Sequence, residues 1–187
     1  MSIFSPLNPL EPLALETERV VLRRWRKSDF KPFARMNQDP MVMEFFPRRL
    51  DADETRAMIR RIESGFEEHG FGLYAVELKE NNGFIGFVGL SVPKFSTHFT
   101  PCVEIGWRLS SEYWGRGLAT EAAREVMRAA FHDFGQEEVV SMTAIPNQRS
   151  RRVMEKLGMT TLPDDDFDHP LVPEGPLKRH VLYRKRR

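Results

Sequence analysis

Residues 102–134 bring together, in one continuous run, the residue types that an anion site needs. Up to Leu109 the run alternates, which sets Val103, Ile105, Trp107 and Leu109 on one face of a predicted strand. From Leu118 the period changes. Leu118, Ala122, Val126 and Ala130 recur every fourth residue, and Ala119, Ala123, Met127, Phe131 and Phe134 widen the apolar stripe of a predicted helix. Glu121, Arg124, Glu125, Arg128 and Asp133 fall on the opposite side. Gly115 and Gly117 lie between strand and helix, where the backbone can turn sharply and leave its N–H groups uncovered. The first N–H groups of a helix have no partner within it, and the helix dipole adds partial positive charge at the same end. Arg116 adds a full charge at the loop tip, so the expected ligand group is a phosphate or pyrophosphate.

What the run lacks narrows the choice. No Lys followed by Ser or Thr comes after the glycines, which argues against a nucleotide P-loop. The stretch from Gly115 begins like a dinucleotide fingerprint, but Thr120 stands where a third small residue is expected. The next predicted strand, residues 138–144, ends without the acidic residue that would hold a ribose.

The loop Trp114-Gly115-Arg116-Gly117-Leu118-Ala119 resembles the pyrophosphate loop of the GNAT acetyltransferase superfamily, Gln/Arg-x-x-Gly-x-Gly/Ala, with Trp114 where the superfamily usually has Gln or Arg. The wider stretch from Tyr113 to Ala122 is similar to the branch that contains the ribosomal-protein N-terminal acetyltransferases. A second motif, from Asn147 through Ser150 to Glu155-Lys156-Leu157-Gly158-Met159, resembles the superfamily's Asn-x-x-Ser/Ala helix ending in Glu-Lys-x-Gly-Phe. The resemblance covers nearly the whole chain. It implies the GNAT fold, an α/β (α+β) arrangement with a mixed, mostly antiparallel sheet flanked by helices, in which a parallel strand pair splays to admit an acetyl thioester.

The resemblance also implies acetyl-CoA as cosubstrate and a primary amine as acceptor, a protein N-terminus first, with direct transfer in a ternary complex; the alternatives are a small-molecule amine (polyamine or aminoglycoside-like) as acceptor, or a non-catalytic CoA-binding regulator. Gly115, Arg116, Gly117, Leu118, Ala119 and Thr120 would then take the pyrophosphate, with Trp114 beside them. Backbone groups of Trp107, Arg108 and Leu109 would hold the pantetheine arm and the thioester oxygen. Asn147 would cap its helix and touch the cofactor. Many superfamily members carry a tyrosine on that helix as general acid; the matching position here is Met154, so Ser150 is the expected donor to the leaving sulfur. Glu104 is the candidate base, its alternative role being an ion pair on the sheet surface. His169 and His180 are rival bases, and Tyr183 is either core or acceptor wall. Phe45 and Phe46 form either core packing or, as the resemblance implies, a substrate wall shared with Glu104 and His169. Cys102, at the start of its strand with no base in its local sequence, is not expected to carry the acyl group.

The rest of the chain must position these groups. At 187 residues it reads as one acetyltransferase domain, residues 1–187, with room for a proper core. Residues 1–15, rich in Pro, read as an extended arm, and 18–25 as the first strand. Ser28 is the expected cap of a short helix to about Met36, ended by Asp39-Pro40; Asp51 and Glu54 open a second at capping-box spacing, stopped by Gly70. Residues 73–78 and 84–91 flank a hairpin turn, and after the central helix come a strand (138–144), a helix (148–157), a short strand (159–162) and a closing strand (177–184). The expected order is β-α-α-β-β-β-α-β-α-β-β. Residues 163–176 form an acidic, Pro-rich loop whose Asp164, Asp165, Asp166, Asp168 and Glu174 either are solvated or draw in a cationic amine. Net charge of +1 gives no general electrostatic case for nucleic acid, and the basic end reads as a solvated tail. The lone Cys102 and the lack of a long apolar run or signal peptide fit a cytoplasmic protein, monomer or homodimer, with no membrane partner and no metal.

Overall fold

The computed structural model describes residues 14–187, so most of the expected N-terminal arm lies outside the described residues. A nine-stranded sheet runs in the order β1-β2-β3-β4-β5-β6-β9-β7, with β8 paired to β9. Its strands are β1 (Leu15–Glu16), β2 (Val20–Arg23), β3 (Leu73–Leu78), β4 (Gly83–Ser91), β5 (Glu104–Leu109), β6 (Glu138–Ala144), β7 (Thr160–Thr161), β8 (Phe167–Asp168) and β9 (Arg179–Arg186). Every pairing is antiparallel except β5 with β6. The helices are α1 (Phe30–Gln38), α2 (Ala52–His69), α3 (Leu118–His132) and α4 (Gln148–Lys156).

Helix α3 forms where the four-residue stripe lies, and Leu118, Ala122, Val126 and Ala130 are all buried in the main core with Val88, Leu90 and Ile105. Helix α1 covers the other face, where Phe33, Met36 and Phe87 pack with Val42 and Met43. Helix α2 begins at the expected capping box: Glu54 N–H donates to Asp51 Oδ1 at 2.8 Å and Asp51 N–H to Glu54 Oε2 at 3.0 Å. It stops at Gly70, whose φ of 76° suits a residue without a Cβ.

Several expectations are corrected. Ser28 caps nothing; a 3-10 turn, Lys27–Asp29, precedes α1, and the Asp29 carboxylate accepts the Arg26 N–H at 2.7 Å. No side chain caps α1, because the Asp29 carboxylate at its start is committed to a bidentate bond from Arg23 (2.8 and 2.9 Å). The basic C-terminus is not a loose tail: β9 extends through Arg186, with Arg184 and Arg186 both donating to Glu138 at 2.9 Å. The loop after β7 contains a 3-10 turn, Pro163–Asp165, and the short strand β8, and Asp165 accepts from Arg184 Nε at 2.8 Å. Asp168 pairs with Arg179 and Glu174 with Lys178.

Arg23 and Asp29 are 8% and 2% exposed, and Glu77 accepts from Arg23 Nε at 2.8 Å. Without Asp29, Arg23 keeps Glu77 at Nε but loses the partner of its buried Nη2. Asp29→Ala should therefore lower unfolding stability by about 1.5–3 kcal/mol, measured as a shift of the urea midpoint at unchanged slope.

Candidate active site

Strands β5 and β6 meet at one register pair, Glu104 with Val140, and part beyond it. Val140 N–H donates to Val103 O at 2.9 Å, and Ser141 Oγ, not a backbone amide, donates to Ile105 O at 2.9 Å. Strand alternation turns the N–H and C=O of Trp107 and Leu109 the same way as those of Ile105, toward the widening gap, where no strand partner meets them. Trp114 Nε1 closes over the Leu109 carbonyl at 2.8 Å.

A cavity of about 940 Å³ lies at this gap and is lined by residues from both faces of the sheet. On the α3 side it is walled by the loop from Tyr113 to Thr120 and by one face of α4. Gly115 (φ 73°) and Gly117 (φ 80°) both need the left-handed region, and a Cβ on Gly115 would meet nothing within 4 Å. Side chains cap α2 (Asp51) and α4 (Asn147), but none caps α3 at Gly117, so its first N–H groups stay available to a ligand. The helix start is held from behind: Glu121 accepts from Thr17 Oγ (2.5 Å), Arg19 N–H (2.9 Å) and Arg19 Nε (2.6 Å), and Arg19 Nη1 donates to Arg116 O at 3.0 Å. Burial tends to raise the Glu121 pKa, but these bonds outweigh it and hold the carboxyl below its usual range.

Arg149, Arg152, Val153 and Lys156 share the cavity-facing side of α4. Arg152 and Lys156 side chains have no ion-pair partner among the described residues, which leaves two cations for a phosphorylated ligand. Asn147 accepts the Ser150 N–H at 3.2 Å, and its Nδ2 donates to Ser150 Oγ at 3.1 Å and to Thr143 Oγ at 2.9 Å. The Ser150 oxygen is thus an acceptor within the cap, and its own proton remains free to be donated. Met154 is buried in the core.

On the α1 side the cavity is lined by Phe45 and Phe46 from the loop after α1, by Glu104, Gly106 and Arg108 from one face of β5, and by His169 and His180. Burial pushes the Glu104 pKa up to about 7, against a hydrogen bond from Ser91 that lowers it. His169 is pushed down to about 4 by burial, then by the charges of His180 and Lys178, so it is neutral near pH 7. Its Nδ1 accepts the Leu171 N–H at 3.2 Å, which places the remaining proton on Nε2 and leaves no free basic nitrogen. Arg108, 8% exposed, donates from Nη1 to Asn37 Oδ1 at 2.6 Å and stacks on Phe46, 4.0 Å from the ring centre.

All the expected site residues line this cavity except Arg116, whose side chain turns outward over Tyr113 toward Glu80. The acidic residues 164–166 and 168 lie outside its wall. Tyr183 is core, its hydroxyl donating to Glu155 at 3.1 Å. Cys102 also lies outside the wall, and burial, followed by the Glu104 charge, raises its thiol pKa to about 12. Sequence reasoning missed Tyr113 and the α4 cations. The latter were detectable, since positions 149, 152, 153 and 156 fall on one helical face.

A split parallel pair thus lies beside an uncapped helix start, with one cavity reaching both. The chain belongs to the family described as "Acetyltransferase (GNAT) domain", matched over residues 19–160. It is 30% identical over 146 residues to the Bacillus subtilis protein YkkB, covering 78% of this chain and 84% of that one. Its fold matches an acetyltransferase (GNAT family) from Bacillus anthracis at a TM-score of 0.76 and 22% identity, covering 93% and 98% of the two chains. It also matches Mycobacterium smegmatis RimJ, solved with CoA-disulfide, at a TM-score of 0.75 and 16% identity, covering 94% and 88%. At those identities the two structures speak to fold alone.

Glu104 carries a stability consequence. Its folded pKa, about 7, lies above the ordinary carboxylate value, so the fold favours the protonated form. That stability is fully present below the unfolded value and is lost as pH rises through about 7. Glu104→Gln should raise the melting temperature relative to wild type at pH 8.5, with the gain vanishing by pH 4.5, in a calorimetric pH series.

Proposed function

We propose that this chain transfers acetyl from acetyl-CoA directly to a primary amine that enters from the α1 side, with Glu104 as the base. The observation that carries the reading is the place of Glu104: it lies at the point where β5 and β6 separate, with a pKa near neutrality. A group so tuned can both accept and release a proton at the working pH. His180 is the weaker candidate, since it pairs with Ala144, four residues along β6 from the Val140 beside Glu104.

Acetyl-CoA supplies an acyl thioester already activated toward amines. The uncovered amides around Gly117, with Arg152 and Lys156, are the groups suited to its phosphates, and the gap-facing amides of Trp107 and Leu109 to its arm. As the amine nitrogen forms its bond to the acyl carbon, the C–S bond breaks. One proton passes from nitrogen to Glu104, and the sulfur departs as thiolate, which takes a proton from solvent to become free thiol. Ser150 supplies the hydrogen bond to that sulfur, its proton being uncommitted within the Asn147 cap. Modest help suffices, because a thiol with a pKa of about 8.5 leaves readily. Cys102, fully protonated at neutral pH and outside the cavity, supports transfer without a covalent enzyme intermediate.

Among the cavity-lining residues Glu104 is the one carboxylate, against six Lys and Arg side chains. Polyamines and aminoglycosides would set more positive charge against that wall, which favours a less cationic amine.

Thiol release from acetyl-CoA against a panel of peptides, amino acids, polyamines and aminoglycosides tests the reading. With the best acceptor, kcat/KM should rise through about pH 7, and Glu104→Gln should abolish that limb and lower kcat by about 10²–10⁴. A Glu104→Gln enzyme as fast as wild type at every pH would sink the assignment. Ser150→Ala should lower kcat by about tenfold, with the affinity for acetyl-CoA little changed. Gly117→Ala forces an unfavourable backbone and should cost about 1–2 kcal/mol of stability while raising KM for acetyl-CoA, with the acceptor KM as control.

A further inference from the structure

Arg108 is a buried cation that the protein does not neutralise. It forms no ion pair among the described residues, Asn37 is its one hydrogen-bond partner, and its Nε is buried with none. It nevertheless lines the cavity, wedged between Phe46 (4.0 Å) and Phe87 (5.4 Å). A buried guanidinium with open donor positions is costly unless something anionic completes it, and a carboxylate fits that planar fork best. No carboxylate of the cavity wall does so, since Glu104 stands four residues away on the same strand, about 13 Å along it.

Glu104, Gly106 and Arg108 project from one face of β5, beside Ser91, Gly89 and Phe87 of β4. A Cβ on Gly106 would meet nothing within 4 Å, so the floor between the two charged residues is open. One end of this trough holds a proton acceptor at the gap, and the other holds an unpaired cation under an aromatic lid.

Resting on the transferase reading above, we propose that the acceptor is an extended amino carboxylate, its two charges several carbons apart, bound with its carboxylate on Arg108 and its amine at Glu104. The carboxylate meets the guanidinium at Nη2, the terminal nitrogen without a hydrogen-bond partner among the described residues, fixes the molecule along the trough and delivers the nitrogen to the strand gap. The spacing of Glu104 and Arg108, about 13 Å along β5, sets carboxylate and amine at opposite ends of one extended skeleton. Burial of Arg108 under Phe46 favours a small molecule over a protein surface.

The test compares glycine, β-alanine, 4-aminobutyrate and lysine with their own carboxamides, by thiol release from acetyl-CoA. Wild type should prefer the carboxylate of the best pair by about 10- to 100-fold in kcat/KM. Arg108→Gln should lose that factor for the carboxylate and change little for the carboxamide; Arg108→Lys should recover part of it. Equal use of carboxylate and carboxamide by wild type would overturn the proposal. So would an Arg108→Gln enzyme weakened equally toward both, which would mark Arg108 as structural, or acetylation confined to peptides with acidic residues. Stabilisation by acetyl-CoA reports whether each variant is folded, and if Arg108→Gln is not, the wild-type comparison decides alone. If no amine releases thiol, the transferase reading fails by itself. Arg108 is then judged by whether 4-aminobutyrate raises the melting temperature of wild type more than its carboxamide does. Absence of that difference overturns the carboxylate site.

Discussion

The failure of β5 and β6 to stay paired is the constraint from which the rest of the structure follows. Parallel neighbours ordinarily continue their ladder until one strand ends. Here the ladder stops after a single register pair, because the Ser141 hydroxyl takes the Ile105 carbonyl and the strands diverge beyond it. The gap leaves backbone groups of Trp107 and Leu109 without a strand partner; Trp114 takes the Leu109 carbonyl, and the others require a partner of their own. It also joins two half-sites on opposite faces of the sheet into one cavity. Without the divergence, the glycine loop and the Glu104–Arg108 face would be unrelated surface features.

Two kinds of support hold that opening. From the α3 side, the core helix presses on β4 and β5 with small residues, Ala122, Ala123 and Ala130, which lets it lie close. Glu121, gripped by Thr17 and Arg19, fixes the rotation of its first turn. On the α1 side, the Trp25, Phe33 and Phe87 rings form a rigid base beneath the loop that carries Phe45 and Phe46. The chemistry is thus set between a clamped helix start and a packed aromatic layer.

Strong local patterns were legible in the sequence: the α3 stripe, the Asp51–Glu54 capping box, the hairpin at Asn82 and the Asn147 cap all appear where the residues placed them. The two-residue strands β1 and β8 were not, because two residues carry no periodicity and their pairing is supplied by neighbours. Ser28 and Asp29 are equally good caps by type, and it is the buried Arg23 that commits Asp29 elsewhere. The loop Gly115 to Thr120 could be read from its glycines, whereas the outward turn of Arg116 depends on Glu80, 36 residues earlier. Alternation alone put Arg108 opposite the apolar face of its strand, as solvent-facing charges are. Its burial depends on Phe46 and Asn37, brought in by a distant helix and loop.

Arg149 gives the cavity one more property. Its guanidinium lies 4.6 Å from the Trp114 ring and 5.5 Å from Phe45, and it pairs with Glu44. One side chain therefore belongs to the walls of both half-sites. Any ligand that shifts Trp114 changes the environment of Phe45, and the reverse holds with equal free energy. A displacement of that one guanidinium is therefore felt on both sides of the sheet.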